Sequence, residues 1–128
     1  MAKIQIKYLT KPNDEIKDYL KSFNPNDDLS DEIAMFLDDD KNFGLMLYSF
    51  GKLSGFILLS NNEEKRNLLV NSAYFKEYYL FGEVLKFLKN KFKYYKLIIK
   101  SPIKDGQLKV EVKKAHAIAK DGFFEVSL

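Results

Sequence analysis

LLVNSAYFKEYYLFGEVLKFL, residues 68–88, runs from an apolar strand pattern straight into an amphipathic helix. Leu68 and Val70 alternate on one face, as in a strand. Phe81, Val84, Leu85, Leu88 and Phe92 then recur at helical spacing, with Lys86, Lys89, Lys91 and Lys93 on the far side and toward the C-terminal end, where the helix dipole favours cations. A strand that feeds a helix in this way points unpaired N–H groups and the positive end of the dipole at whatever lies beyond it. Phosphate-binding junctions of this kind use glycine to let backbone approach the ligand. Here only Gly82 is available, after the bulky run Phe75 to Phe81.

The segments around this junction set its context. Upstream, GLMLYSFGKLSGFILLS (44–60) is two apolar runs about Gly51-Lys52, a hairpin with glycine first in a type II′ turn. Gly55 inside the second run marks a bulge or a close backbone approach. NNEEKR (61–66) is a second turn and NLLVNSAYF (67–75) a third run, so 44–75 reads as an antiparallel meander. IQIKYL (4–9) alternates as a first strand, and DEIKDYLKSF (14–23) places Ile16, Tyr19, Leu20 and Phe23 on one helical face. NPNDD (24–28) is a turn; LSDEIAMFL (29–37) is a short helix that Ser30 can cap. DDDKN (38–42) lacks the alternate ligand spacing and glycine turn of a calcium loop and reads as an exposed connection. Downstream, YYKLIIK (94–100) is a strand stopped at Ser101-Pro102. QLKVEVKKAHAIAK (107–120) is a helix ending at Asp121-Gly122, with Leu108, Val112, Ala115 and Ala119 as its stripe, and FFEVSL (123–128) is a last strand.

The 128 residues fit a single domain, 1–128, with 46% hydrophobic residues, 11 Phe and 8 Tyr to build a core. The absence of Cys excludes disulfides, thiolate metal sites and a cysteine nucleophile, and one His excludes a histidine-based metal centre: no metal is expected. No apolar run is long enough for a bilayer, so no membrane role and a cytoplasmic location are expected. The net charge of +3 is uneven, with −5 in residues 1–64 and +8 in 65–128. A basic half attracts anions, although a solvated lysine surface is the plainer reading. The lone Arg66 argues against base-specific DNA recognition, so nucleic acid is not an expected partner. The remaining route to it is Lys86 to Lys104 with Tyr94-Tyr95, through charge and stacking on single strands.

The order strand, helix, helix, three strands, helix, strand, helix, strand resembles the GNAT-type N-acetyltransferase fold over nearly the whole chain. GKLSGFILLS resembles that family's third strand, LLVNSAY its fourth strand with Leu68, Val70 and Tyr74 in place and Ser72 for proline, and AHAIAKDGFFEV its closing segment with Gly122-Phe123. The resemblance implies an α/β (α+β) fold: a mixed central sheet of about six strands with an antiparallel N-terminal meander, flanked by four helices.

It also implies acetyl-CoA as cofactor, lying where the sheet parts after the fourth strand. Val70, Asn71 and Gly82 would line it, mainly by backbone. The family's Arg/Gln-x-x-Gly-x-Gly/Ala motif is largely replaced: without a gap it falls on Phe75, Lys76, Tyr78 and Leu80, and a two-residue gap brings Gly82 to its last position. Lys76 offers charge there. The family's thiolate-protonating Tyr corresponds to Ile118, and no carboxylate stands on the fourth strand, where Asn71 and Ser72 are the polar residues; His116 is the lone histidine. The catalytic residues are therefore unassigned. The family closes with a further strand after the Gly-Phe strand, so the C-terminal strand is expected to offer an edge to a protein partner or a second copy. Two functions follow: an acyl-CoA-dependent N-acyltransferase acting on an amine of a small molecule or protein, or a GNAT-like domain without catalysis that works as an inhibitor, adaptor or assembly component.

Overall fold

The structure, a computed structural model, describes residues 4–23, 30–101 and 106–128. The turn expected at 24–28, Leu29, Pro102, Lys104 and the side chain of Phe23 lie outside the described residues. The elements run β1 (Ile4–Leu9), α1 (Asp14–Phe23), α2 (Ser30–Leu37), β2 (Asn42–Ser49), β3 (Lys52–Asn62), β4 (Asn67–Phe75), α3 (Leu80–Lys91), β5 (Lys96–Lys100), α4 (Gly106–Lys114), β6 (Ile118–Lys120) and β7 (Phe123–Ser127). They form one mixed sheet in the order β1-β2-β3-β4-β5-β7-β6, in which β4 and β5 are the parallel pair and the other neighbours are antiparallel.

Strand alternation sends side chains to two faces, and each face has its own helices. On one, Leu45, Leu47, Ile57, Leu59, Leu68 and Leu97 pack against Phe81, Val84 and Leu88 of α3 and Val112 of α4. On the other, Met46, Phe56 and Leu58 meet Ile16, Tyr19 and Leu20 of α1 and Ile33 and Leu37 of α2. The stripes anticipated on α1 and α3 are the buried faces of those helices. The side chain of Asn13 accepts the Ile16 amide at 2.8 Å and caps α1.

Two expectations change in detail. Ser49 pairs with Lys52, so the first hairpin turns on Phe50-Gly51 rather than Gly51-Lys52. Both central residues have positive φ, 54° and 75°, which is the type I′ pattern. The sheet has seven strands, because the last helix stops at Lys114 instead of running to Lys120. His116, at φ 58°, is its left-handed terminator: its amide donates to Lys113 O (3.0 Å) and that of Ala117 to Val112 O (3.4 Å), the paired bonds of a Schellman stop. That frees Ile118–Lys120 to form β6, and Asp121-Gly122 becomes the β6–β7 turn, with Gly122 at φ 85°. The C-terminal strand β7 consequently lies inside the sheet between β5 and β6; the edge on that side is β6. Among the described residues no helix is long and apolar enough to cross a membrane.

Candidate functional site

β4 and β5 pair at only three positions, Asn67–Lys96, Leu68–Leu97 and Leu69–Ile98. Beyond Leu69 they part. β5 continues along β7 over its full length, and Val70–Phe75 continues along β3 alone. The result is a fork whose β4 prong has ladder partners on one side only. At its base the β3–β4 register shifts: Leu58 faces Ser72 and Leu59 faces Val70, so Asn71 is the unpaired residue of a bulge. A bulge bends its strand and sharpens its twist, which is how β4 leaves β5. Asn71 is exposed and its side-chain oxygen accepts from Ser72 Oγ at 3.3 Å; Val70 is half-buried against the α3 side.

The far end of the prong is held firmly. A Cβ on Gly55 would sit 2.7 Å from Phe75 Cδ1 and 3.3 Å from Tyr74 O, so β3 needs glycine where it passes under Phe75. Gly55 therefore marks the close approach anticipated from sequence, and the bulge lies at its neighbour Ser54, which the register shift between Leu47 and Tyr48 leaves unpaired. From the helical side, the Tyr19 hydroxyl reaches Tyr74 O (2.8 Å) and Ser54 O (3.0 Å), joining α1 to the ends of β3 and β4. Burial drives this phenol well above its ordinary pKa, so it remains a donor at every physiological pH. Lys76 Nζ stands 5.1 Å from the centre of the same ring.

Residues 76–79 carry the chain from β4 into α3. The amides of Leu80, Phe81 and Gly82 donate to Glu77 O, Tyr78 O and Tyr79 O at 3.1, 3.0 and 3.0 Å. Tyr79 already has helical angles (φ −60°, ψ −20°) and gives no side-chain cap. A turn of i to i−3 bonds from Glu77 to Gly82 therefore leads into α3, and the amides of Leu80, Phe81 and Gly82 are satisfied within the protein. Gly82 is half-buried, and a Cβ there would meet nothing within 4 Å, so no internal packing demands the glycine.

The fork thus brings Val70 and Asn71 together at its base. Gly82 follows the end of β4, in the first turn of α3. Ile118 is exposed on β6 and His116 is the exposed terminator of α4. Glu125, on β7, is bonded to Lys96 at 2.7 Å, which holds its carboxyl below the usual range. In the 38–42 loop, Asp39 serves the turn by accepting the Lys41 amide at 2.9 Å. Among the described residues no group of three carboxylates or imidazoles is placed to hold a metal ion. Tyr94 is 82% exposed, whereas Tyr95 packs on Phe92 with ring centres 5.4 Å apart. Sequence reasoning gave Tyr19 only a place on a buried stripe. A buried tyrosine hydroxyl needs a partner, and that requirement was the available signal.

A recess of about 890 Å³ opens on the sheet face that carries α1 and α2. Asn42, Ser60, Leu69 and Ile98 stand side by side across its floor. The α2–β2 loop and the β3–β4 turn form its rim, with Asp39, Asp40, Glu63 and Glu64 against Lys41 and Lys65. Leu69 and Ile98 are also the last paired residues before the fork. Recess and fork therefore share one apex, and sequence reasoning missed the recess because its lining comes from four strands and two loops.

No protein-family model matches the sequence, and no curated protein matches it. Solved structures do match by shape. Escherichia coli YhhK bound to coenzyme A is similar with a TM-score of 0.72 at 17% identity, over 98% of this chain and 99% of that one. Campylobacter jejuni N-acetyltransferase PseH in complex with acetyl coenzyme A gives 0.70 at 16%, over 97% and 96%. The ribosomal-protein-alanine N-acetyltransferase of Brucella melitensis gives 0.67 at 18%, over 93% and 94%. With its order β1-β2-β3-β4-β5-β7-β6, its β4–β5 fork and these whole-chain matches, the chain has the fold of the GNAT-type N-acetyltransferases.

Proposed function

We propose that this protein is an acyl-CoA-dependent N-acyltransferase, moving an acetyl group from acetyl-CoA to an amine of a small molecule or protein. The observation that carries the reading is the bulged β4–β5 fork, in a fold shared end to end with structures that hold coenzyme A and acetyl coenzyme A. The one-sided backbone of Val70–Phe75 is suited to the amides of a pantetheine arm, which would add to it much as a strand adds to a sheet edge. Val70 and Asn71 would hold the acyl end, mainly by backbone. At the other end the diphosphate would meet the turn over 77–79 that leads into α3, beside Lys76, with the open space over Gly82 allowing close approach. The cofactor supplies an activated thioester. Transfer would form the amide bond between the amine nitrogen and the thioester carbon as the carbon–sulfur bond breaks, and the proton lost by the amine would balance the one taken up by the thiolate. No side chain at the fork is assigned to that proton.

A second reading has one observation in its favour. Leu80, Phe81 and Gly82 spend their amides inside the protein, beside Tyr78 and Tyr79, which would suit a domain that keeps the fold and works through protein contacts. Thermal melting separates the two. A cofactor that binds the native state at a hundred times its Kd adds about 2.7 kcal/mol, several degrees for a chain of this size. The acyltransferase reading expects that rise with millimolar acetyl-CoA, and coenzyme A release when amines are supplied. An unchanged midpoint favours the interaction module.

A further inference from the structure

The sheet has two edges, and only one of them is blunted. β6 closes one side with three exposed residues, ends on Lys120 and turns at once into β7. Short edge strands of that kind resist pairing with other chains. β1 closes the other side with six residues in unbroken register against β2, from Ile4 opposite Ser49 to Leu9 opposite Gly44. It holds neither proline nor bulge, and among the described residues nothing pairs with its outer side. Its one charge is drawn inward: Lys7 Nζ stands 5.2 Å from the centre of the Tyr48 ring on β2. Cover on the α3 face also stops one strand short. Leu45 and Leu47 of β2 are wholly buried, whereas their ladder partners differ, Tyr8 being 50% exposed and Ile6 half-buried. Tyr8 meets Phe43 and Phe87 at ring-centre distances of 5.9 and 5.8 Å and still leaves half its surface to solvent.

We propose that the occupant of this edge is a second copy of the chain, with β1 pairing antiparallel to β1 of the second copy about a two-fold axis through Ile6. The strand is self-complementary in that register. Ile6 faces its own copy, Ile4 faces Tyr8 in both directions, and Gln5 faces Lys7. Residues opposite one another in a ladder share a face, so the apolar pairs all lie on the α3 side, where each copy's Ile4, Ile6 and Tyr8 cover those of the other. Neighbouring registers do worse. A pivot at Lys7 sets Lys7 against its own copy, a like-charge pair that destabilises the ladder. A pivot at Gln5 leaves Tyr8 with no opposite residue inside β1. The contact is isologous and closes at two chains. It joins two seven-stranded sheets into one, with β2 and β3 between it and each β4–β5 fork, so it stands independently of the acyltransferase reading.

Sedimentation equilibrium of the full chain from about 1 μM to 1 mM tests this, together with two substitutions at Gln5. Gln5 is exposed, so both variants should keep the fold of the single chain. Gln5→Lys sets two like-charge pairs across the ladder and should weaken the dimer about tenfold. Gln5→Glu sets two opposite-charge pairs there and should tighten it several-fold. Amide exchange gives the location: alternate amides of β1, those not bonded to β2, should slow as concentration rises, with the amides of β6 unchanged. A chain that stays monomeric throughout the range overturns the proposal. So does a dimer that responds to both charges at residue 5 in the same way or to neither, and so does one whose added protection falls on β6.

Discussion

The two parts of β4, Asn67–Leu69 and Val70–Phe75, belong to one strand and differ in surroundings. Asn67–Leu69 has β3 on one side and β5 on the other, and Leu68 is fully buried between them. Val70–Phe75 has β3 alone, and Val70, also apolar, is only half-buried. One residue separates the regimes. The unpaired Asn71 bends the strand, and what would have been an interior strand becomes the wall of a fork. Within one strand, Asn67–Leu69 is enclosed by ladders on both sides, and the stretch from Val70 to the anchored Phe75 keeps one side of its backbone free of ladder partners.

The sharpest way to break this contrast is to truncate one side chain in each half. Leu68→Ala should cost about 3 kcal/mol in urea unfolding, the usual range for emptying a closed core site. Val70→Ala should cost about 1 kcal/mol or less, because solvent already reaches that side chain. Equal losses would mean that the fork half is packed like the core. Next in size is Gly55→Ala, which forces the 2.7 Å contact with Phe75 to open and should destabilise by roughly 1–3 kcal/mol. A neutral result would show that the end of the prong yields freely.

Tyr19→Phe keeps the ring and removes the link to Tyr74 O and Ser54 O. The expected loss is about 1 kcal/mol, together with faster hydrogen exchange at the Lys76 amide, which donates to Ser54 O. Unchanged exchange would separate α1 from the fork. The smallest effect belongs to Glu125. Its pKa is lowered in the folded state by Lys96, so its contribution is complete above the ordinary glutamate value and fades as pH falls through the lower folded one. Glu125→Gln should therefore flatten the acid side of the stability–pH profile and leave its shape above pH 6 unchanged.

Much of this architecture was legible. Hydrophobic period marked the meander, α1 and α3, because their buried faces are long and regular. The tight spot at Gly55 was legible because glycine inside an apolar strand has few other causes. The last helix was overextended, since Ala115, Ala117 and Ala119 suit a helix by propensity and nothing local announces that His116 takes a left-handed conformation. The fork was reached only through resemblance: LLVNSAYF reads as one continuous strand, and the loss of β5 as a partner is a tertiary event. The state of α3's first amides was illegible for the same kind of reason, because a turn of i to i−3 bonds leaves no mark on side-chain pattern.

The central claim is that β4's second half and the turn after it form a cofactor wall. A heteronuclear NMR titration of the uniformly labelled chain with acetyl-CoA tests this most directly. The account predicts saturable shifts at the amides of Val70–Phe75 and residues 77–82, with Asn67–Leu69 nearly still. Spectra unchanged at millimolar acetyl-CoA, or shifts that avoid the fork, would contradict it.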